Sequence, residues 1–549
     1  MTTTSANERA GDGGTAQARI PSDLAAPDGP GAIGLRRVPA TVWALTALFA
    51  VLLAISSVAA PLFHAPDEFV HADLVLLLAD DPHYPEHDGR RTAAAVKRVA
   101  IPYFGDDARA PDKTAADAPS KAGRPNINVL GGTGDHEEGS FNQQPQHPPL
   151  YYQALALALR VERYVLPGTD PPAAVTEIGL LRVLNAAMVV LLPLAAWATA
   201  ARLGADRRTA TTAAALVLLV PQLTHIGSAI NNDNLLTGLA SVLAVLLAGV
   251  ARGDRSWRTA GLVAVVTGLA LLTKAFALLL LPWIAVAYLV AARAAARRGE
   301  RPLPIVVVGA ATGVGAALIS GWWWIGNRIR TGSFAPTLEE ELVPSQPGFS
   351  PDPEFFILRF GAYFPERFWG WFGLYSARLP LWVIGLATAA LLAVVVVGLA
   401  RPGGRLRRAD LAIGLLPVVL VGAFVVQHAW SLYTRSGRTP FIQGRYLFPV
   451  IVPLMVAAAA GVSRLAGRKA PVAALVVGLA LHALGFATML DNFWGAPGDG
   501  LGGELRAMVA WSAWPGEALA LGAAMAALVT VGAFVVIGRD LATEERVER

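Results

Sequence analysis

The sequence predicts an all-α polytopic integral membrane protein, and three observations carry that prediction. Many Leu/Ala/Val runs are long enough to cross about 30 Å of hydrocarbon. None shows strand-like alternation, and the arginine clusters sit in short loops between them. In hydrocarbon every backbone polar group needs an internal partner, so uniform apolar runs are helices. Composition agrees: 54% of residues are hydrophobic and 15% charged. The net charge of +5 is not a nucleic-acid signal, because the arginines lie in those short loops. With no cysteine, disulfides and thiolate metal sites are excluded. Arginine well above lysine, with abundant Ala and Gly, fits a high-GC bacterial genome.

Residues 1–40 are polar and rich in Gly, Ala and Thr, and read as a disordered cytoplasmic tail. Residues 41–538 form the membrane domain. Its first span, 42–60, lies too far in for a cleaved signal peptide and reads as an uncleaved anchor. Further spans are expected at 178–200, 209–225, 235–250, 259–272, 275–292, 304–325, 379–400, 410–427, 446–465, 471–490 and 515–537. That makes about twelve helices. Residues 539–549 form a short charged tail.

Loop charge sets the orientation. Clusters at Arg202/Arg207/Arg208, Arg252/Arg255/Arg258, Arg293–Arg301, Arg401–Arg408 and Arg464–Lys469 share a side with Arg36 and Arg37 if every span is counted. The positive-inside rule makes that side cytoplasmic, with both termini. The opposite, extracytoplasmic face carries the long loops 63–177, 326–378, 429–443 and 491–514. In the first, 106–142 reads as a flexible insertion, while 153–165 has the mixed apolar and charged pattern of an interfacial helix.

Where the first span ends, the chain reads His64-Ala-Pro-Asp-Glu-Phe-Val-His71. Ala-Pro-Asp-Glu is also an ordinary helix start, with Pro in the first turn and acids at the positive end of the dipole. In a helix, however, Asp67 and Glu68 each share a face with His71. Such a group suits a general base with its orienting partner, or a divalent cation such as Mg or Mn held by Asp67, Glu68 and His71. The same face carries basic residues that topology disfavours: Lys274 in a tight turn between two short apolar runs, Arg328 after a Trp322–Trp324 run, and Arg445 at a helix mouth. A phosphate at headgroup depth would partner them. Arg435 and Arg438 read instead as contacts to lipid headgroups, and the Trp run as an interfacial anchor. Asn232 and Asp233 add polar groups at another outer turn.

HAPDEFVH, QHPPLYY, INNDNL, TKAFALLLLP, FWGWFGLYSARLP and QGRYLFP occur in that order. The ordered set resembles a bacterial membrane-protein family of unknown function that belongs with the GT-C glycosyltransferases. The resemblance implies a GT-C-like bundle with interfacial helices in the first extracytoplasmic loop. It also implies transfer of a sugar from a polyprenyl-phosphate donor to a cell-envelope glycan or lipid acceptor. Asp67 or Glu68 would be the base, Lys274, Arg328 and Arg445 would hold the donor phosphate, and His147, Tyr151, Asn232, Asp233 and Gln443 would contact substrate. One base opposite the leaving phosphate implies inversion. A flippase for lipid-linked glycans is the main alternative, but it calls for internal repeats and midplane charges that are not evident here. A polymerase or ligase moving whole glycans stays open.

Overall fold

The apolar runs do fold as helices, and the computed structural model describes residues 38–104, 113–134, 140–165, 172–494, 498 and 500–547. Nearly all of the expected N-terminal tail, 1–40, lies outside the described residues. The first span, α1 (Ala40–Ala59), leads into a loop carrying α2 (Glu68–Asp80), α3 (Ala94–Ala100) and α4 (Leu150–Val165). Next come α5 (Ala174–Val189) and α6 (Leu192–Arg202), then α7 (Arg207–Val217) and α8 (Pro221–Gly227), which meet at a 62° bend. Pro221 opens α8 and cannot donate to the α7 ladder, so the helix breaks there. The chain continues through α9 (Asn232–Ala251), α10 (Trp257–Leu271), α11 (Leu281–Arg297) and α12 (Leu303–Thr331). A second loop holds α13 (Glu339–Leu342), α14 (Pro353–Trp369) and a small antiparallel hairpin, β1 (Trp371–Phe372) with β2 (Ala377–Arg378). The last helices are α15 (Leu381–Ala400), α16 (Arg408–Ser436), α17 (Ile451–Ala466), α18 (Ala470–Phe493), α19 (Gly500–Trp511) and α20 (Gly516–Val547).

Among the described residues, nine helical stretches are long and apolar enough to cross a membrane, or ten if the bent α7–α8 pair is one span. The expected count of about twelve is not confirmed. The difference arises at three places. One is the bend at Pro221, and another is α10, only 15 residues long. The third is Gly444–Phe493, a run of 50 residues taken as one stretch although it breaks at Gly467, where φ is +53°.

The core sits around α7 and α17, whose residues 209–217 and 451–461 are buried throughout. Outer helices present apolar side chains outward. Leu386, Leu392 and Val396 on α15 and Leu521, Leu528 and Val531 on α20 are all exposed, as lipid-facing residues are. Small residues let inner helices touch: Gly398 of α15 faces the Ala457 carbonyl of α17, and Gly461 faces the Val394 carbonyl.

The described parts of the first loop are folded, while 105–112, 135–139 and 166–171, and with them part of the expected insertion, lie outside the described residues. Asp73 of α2 takes Arg90 in a buried paired contact (2.9 and 2.7 Å), accepts the Ala93 amide at 2.9 Å, and accepts Asn142 Nδ2 at 2.8 Å. One carboxylate thus holds residues 90, 93 and 142 together. Within the stretch read as an insertion, Arg124 donates to the Ser512 and Ala510 carbonyls at 2.6 and 2.9 Å, tying it to the end of α19. Helix α4 buries Tyr151, Tyr152, Leu155 and Leu159. Its other face leaves Leu157, Val161 and Tyr164 exposed, as the interfacial reading of 153–165 requires.

Replacing Gly461 by Val would drive a side chain into the Val394 carbonyl. The expected result is destabilisation by about 1–3 kcal/mol, read as a lower melting temperature of the detergent-solubilised protein. An unchanged melting temperature would refute the close α15–α17 packing.

Candidate active site

The chain reverses sharply between α1 and α2. Phe63 (φ 64°) and Asp67 (φ 63°) both take the left-handed conformation, which costs a residue other than glycine about 1–3 kcal/mol. Arg182, buried on α5, holds this turn in place. Its guanidinium donates to the carbonyls of Ser57, Ala60 and Pro61, each at 2.8 Å, and so satisfies acceptors that the end of α1 leaves open. It also forks onto Glu68 at 2.7 and 2.6 Å, and Glu68 Oε1 accepts the Ile230 amide at 3.2 Å. Glu68 is fully buried with both oxygens engaged. Of the two neighbouring acids, only Asp67 is open.

The Asp67 side chain is 41% exposed among otherwise buried neighbours. Its Oδ2 accepts Arg445 Nη2 at 2.7 Å. Arg445 comes from the 3-10 turn Gly444–Val450 that precedes α17. The turn can seat there because Gly444 lies against the Phe364 carbonyl and Phe368 of α14, with no room for a Cβ. Beside it, Lys274 bonds Asp233 Oδ1 at 2.6 Å, with its ammonium 5.4 Å from the Phe276 ring and 5.5 Å from the Tyr446 ring. Asn231 caps α9 through the Asp233 amide and so aims Asp233 at this lysine.

The β hairpin supplies the next wall. Its amides bond Gln222 Oε1 (from Trp371, 3.0 Å) and His225 Nε2 (from Gly373, 3.3 Å), which docks it on α8. Tyr375, the third left-handed non-glycine residue (φ 62°), donates to Gln443 Oε1 at 2.6 Å. Arg367 stacks over the Tyr375 ring at 4.2 Å and donates to the Ile442 carbonyl at 2.6 Å. It has no carboxylate partner among the described residues. Two carboxylates, Asp67 and Asp233, therefore meet three cations, Lys274, Arg445 and Arg367. Asp233 Oδ2, Asn232 Oδ1, Arg445 Nε and Arg367 Nε are closed off from solvent and lack hydrogen-bond partners among the described residues.

A polar relay borders this group. Tyr152 donates to Gln144 Oε1 at 2.9 Å and lies 3.0 Å from His71 Nδ1 and 3.3 Å from Asn232 Nδ2. His71 Nδ1 and the Tyr152 hydroxyl share one proton between them in this contact, its donor set by the imidazole tautomer. Tyr151 donates to Asn185 Oδ1 at 2.9 Å, and the His147 carbonyl accepts Tyr84 at 2.9 Å. Burial, with Lys274 adding to it, pushes His147 down to about 3 and holds His71 well below its usual value.

The structure thus gathers Asp67, His71, Asn232, Asp233, Lys274, Gln443 and Arg445, with Tyr151 behind them. Glu68 lies beneath as part of the scaffold. Arg328 is not among them: it is exposed near the end of α12 and makes none of these contacts. The set Asp67, Glu68 and His71 does not fit a metal ion, because Arg182 occupies both oxygens of Glu68 and Tyr152 occupies His71 Nδ1. Among the described residues no cluster of three His, Asp or Glu side chains could hold one. Arg182, Arg367, Tyr375 and Tyr152 were not singled out from the sequence. Arg182 was discoverable, as a lone charge inside an apolar span.

Two measurements follow. Removing one partner of the buried Arg182–Glu68 pair, as in Glu68→Ala, is expected to cost about 3–5 kcal/mol and sharply lower the melting temperature. Asp67→Asn, at a partly open position, should leave it nearly unchanged, and equal losses would contradict these roles. The histidines also give a pH dependence. Unfolded, both rings titrate near 6.5. Folded, they stay neutral, so their contribution is complete above about pH 6.5 and is lost as pH falls below it, for His147 down to about pH 3 and at up to about 1.4 kcal/mol per pH unit. The melting temperature should drop from pH 7 to pH 5, and less so in His147→Gln. An identical drop in that variant would remove His147 from the account.

Comparison with curated proteins finds no match. Among solved structures, ArnT from Cupriavidus metallidurans bound to undecaprenyl phosphate is similar at 15% identity, with 90% of this chain and 77% of that chain covered and a TM-score of 0.45. The apo form of the Archaeoglobus fulgidus oligosaccharyltransferase is similar at 12% identity, covering 86% of this chain and 56% of that one, with a TM-score of 0.38. The family described as "Predicted membrane protein (DUF2142)" matches residues 49–489, which contain all six ordered motifs. The chain belongs to that family of membrane proteins.

Proposed function

We propose that this protein is a membrane glycosyltransferase of the GT-C kind, which moves a sugar from a polyprenyl-phosphate carrier to an acceptor hydroxyl. It would sit in the bacterial plasma membrane, with both termini cytoplasmic and the site facing out. One observation carries the reading. Asp67 is held in a strained turn, bonded through Oδ2 to a buried arginine, and Oδ1 makes no hydrogen bond among the described residues.

In such a transfer the acceptor oxygen attacks the anomeric carbon, its proton leaves, and the carbon–oxygen bond to the phosphate breaks. Asp67 Oδ1 takes the proton. Protonation removes the charge that Arg445 was neutralising, so the guanidinium turns its attraction to the phosphate as negative charge builds there. Proton uptake and leaving-group stabilisation are coupled through one residue. Arg367, with no carboxylate of its own, supplies a standing positive charge for the phosphate. Lys274 is screened by Asp233 and contributes less. Attack opposite the phosphate inverts the anomeric carbon. A divalent cation is no part of this mechanism, since the residues do not form a ligand set for one.

The test is complementation of a deletion strain, read on its cell-surface glycans. Asp67→Asn is expected to reduce transfer by about 10²–10⁴-fold, the usual worth of a general base, at normal protein levels. Arg367→Gln should weaken donor binding. Full restoration of the glycan by Asp67→Asn would overturn the catalytic assignment. A flippase would move labelled lipid across vesicles without forming any glycosidic bond.

A further inference from the structure

A cavity of about 210 Å³ lies next to the candidate site where the loop after α2 meets the outer end of α12. Its walls carry Tyr84, Glu86 and His87 from the loop, and Trp322, Trp323 and Arg330 from the helix. The rings stand at right angles to one another: Tyr84 meets Trp323 at 5.6 Å and 89°, and Trp322 meets Trp323 at 6.0 Å and 84°. Glu86 and Arg330 approach to 3.7 Å with both side chains largely open. His87 Nδ1 is closed off from solvent and lies 3.6 Å from the Asp88 carboxylate. Tyr84 lines this cavity and also touches the polar relay beside the candidate site. Its hydroxyl bonds the His147 carbonyl, and its ring lies 6.4 Å from that of Tyr152.

We propose that this cavity is a saccharide subsite that seats one sugar ring of the acceptor. The proposal rests on the glycosyltransferase reading for its role, but not for its chemistry. A sugar ring has apolar C–H faces, which pack on aromatic rings, and a rim of hydroxyls that each need both a donor and an acceptor. This cavity offers aromatic faces with a carboxylate, a guanidinium and an imidazole around them. A lipid tail wants none of those polar groups. The 660 Å³ groove lined by α10, α11 and α12, by contrast, bears no charged side chain. The smaller volume lies below the roughly 300–1,000 Å³ of sites for drug-sized ligands, which suits a single ring. Tyr84 and, behind it, the Tyr152 that contacts His71 and Asn232 connect this cavity to the candidate site.

The experiment is saturation-transfer NMR on the purified full chain in detergent, with methyl α-D-mannopyranoside, methyl α-D-glucopyranoside and methyl α-D-arabinofuranoside as probes. At least one should receive saturation. In the double variant Glu86→Gln/Arg330→Gln the Kd for that glycoside should rise about tenfold, the effect of losing a charged hydrogen-bond partner. Asp67→Asn should bind it as the wild type does. No transfer to any of the three, or transfer unchanged in the double variant, overturns the subsite. Binding that behaves as expected, together with full glycan restoration by Asp67→Asn, would overturn the transferase reading and leave the subsite standing.

Discussion

The site depends on one buried ion pair. Arg182 and Glu68 would each be costly to bury alone; together they compensate, and the remaining guanidinium donors satisfy three carbonyls at the end of α1. Asp67, directly before the pinned Glu68, emerges in a left-handed turn. That turn sets the direction of Asp67. The strain there is paid for by the pair below it.

Around Asp67 the chain brings together pieces distant in sequence. The α9 cap supplies Asp233, the turn after α10 supplies Lys274, α14 supplies Arg367 and the turn before α17 supplies Arg445. The net charge of these groups is positive by one. On the proposed function, a donor phosphate would balance that charge and could pair with the unpartnered Nε atoms of Arg445 and Arg367. The region thus sets an open carboxylate beside an excess of positive charge, on a helical bundle whose outer surface is apolar.

Membrane class and helix positions were legible in the sequence because hydrocarbon leaves the backbone few choices. So was the gathering of Asp67, Lys274 and Arg445 on one face, since charge at a helix mouth is costly without a reason. The count of spans was less legible. The break at Pro221 and the short α10 depend on how helices bend and pack, which hydropathy does not record. The distinction between Asp67 and Glu68 was not legible at all: two adjacent acids look alike until Arg182 is seen to claim one. Arg328 shows the converse, since exposure at a helix end gives the same sequence signal as a place in a site. Arg367 and Tyr375 escaped notice because their roles arise from the hairpin that turns them inward.

The central claim is that Asp67 and Arg445 act as one unit. The direct test is a double-mutant cycle on transfer rate, with Asp67→Asn, Arg445→Gln and the combined variant in the same membranes. If the pair is one coupled device, the combined loss will be close to that of Asp67→Asn alone. Losses that simply multiply, or an Arg445→Gln variant that keeps the wild-type rate, would contradict the account.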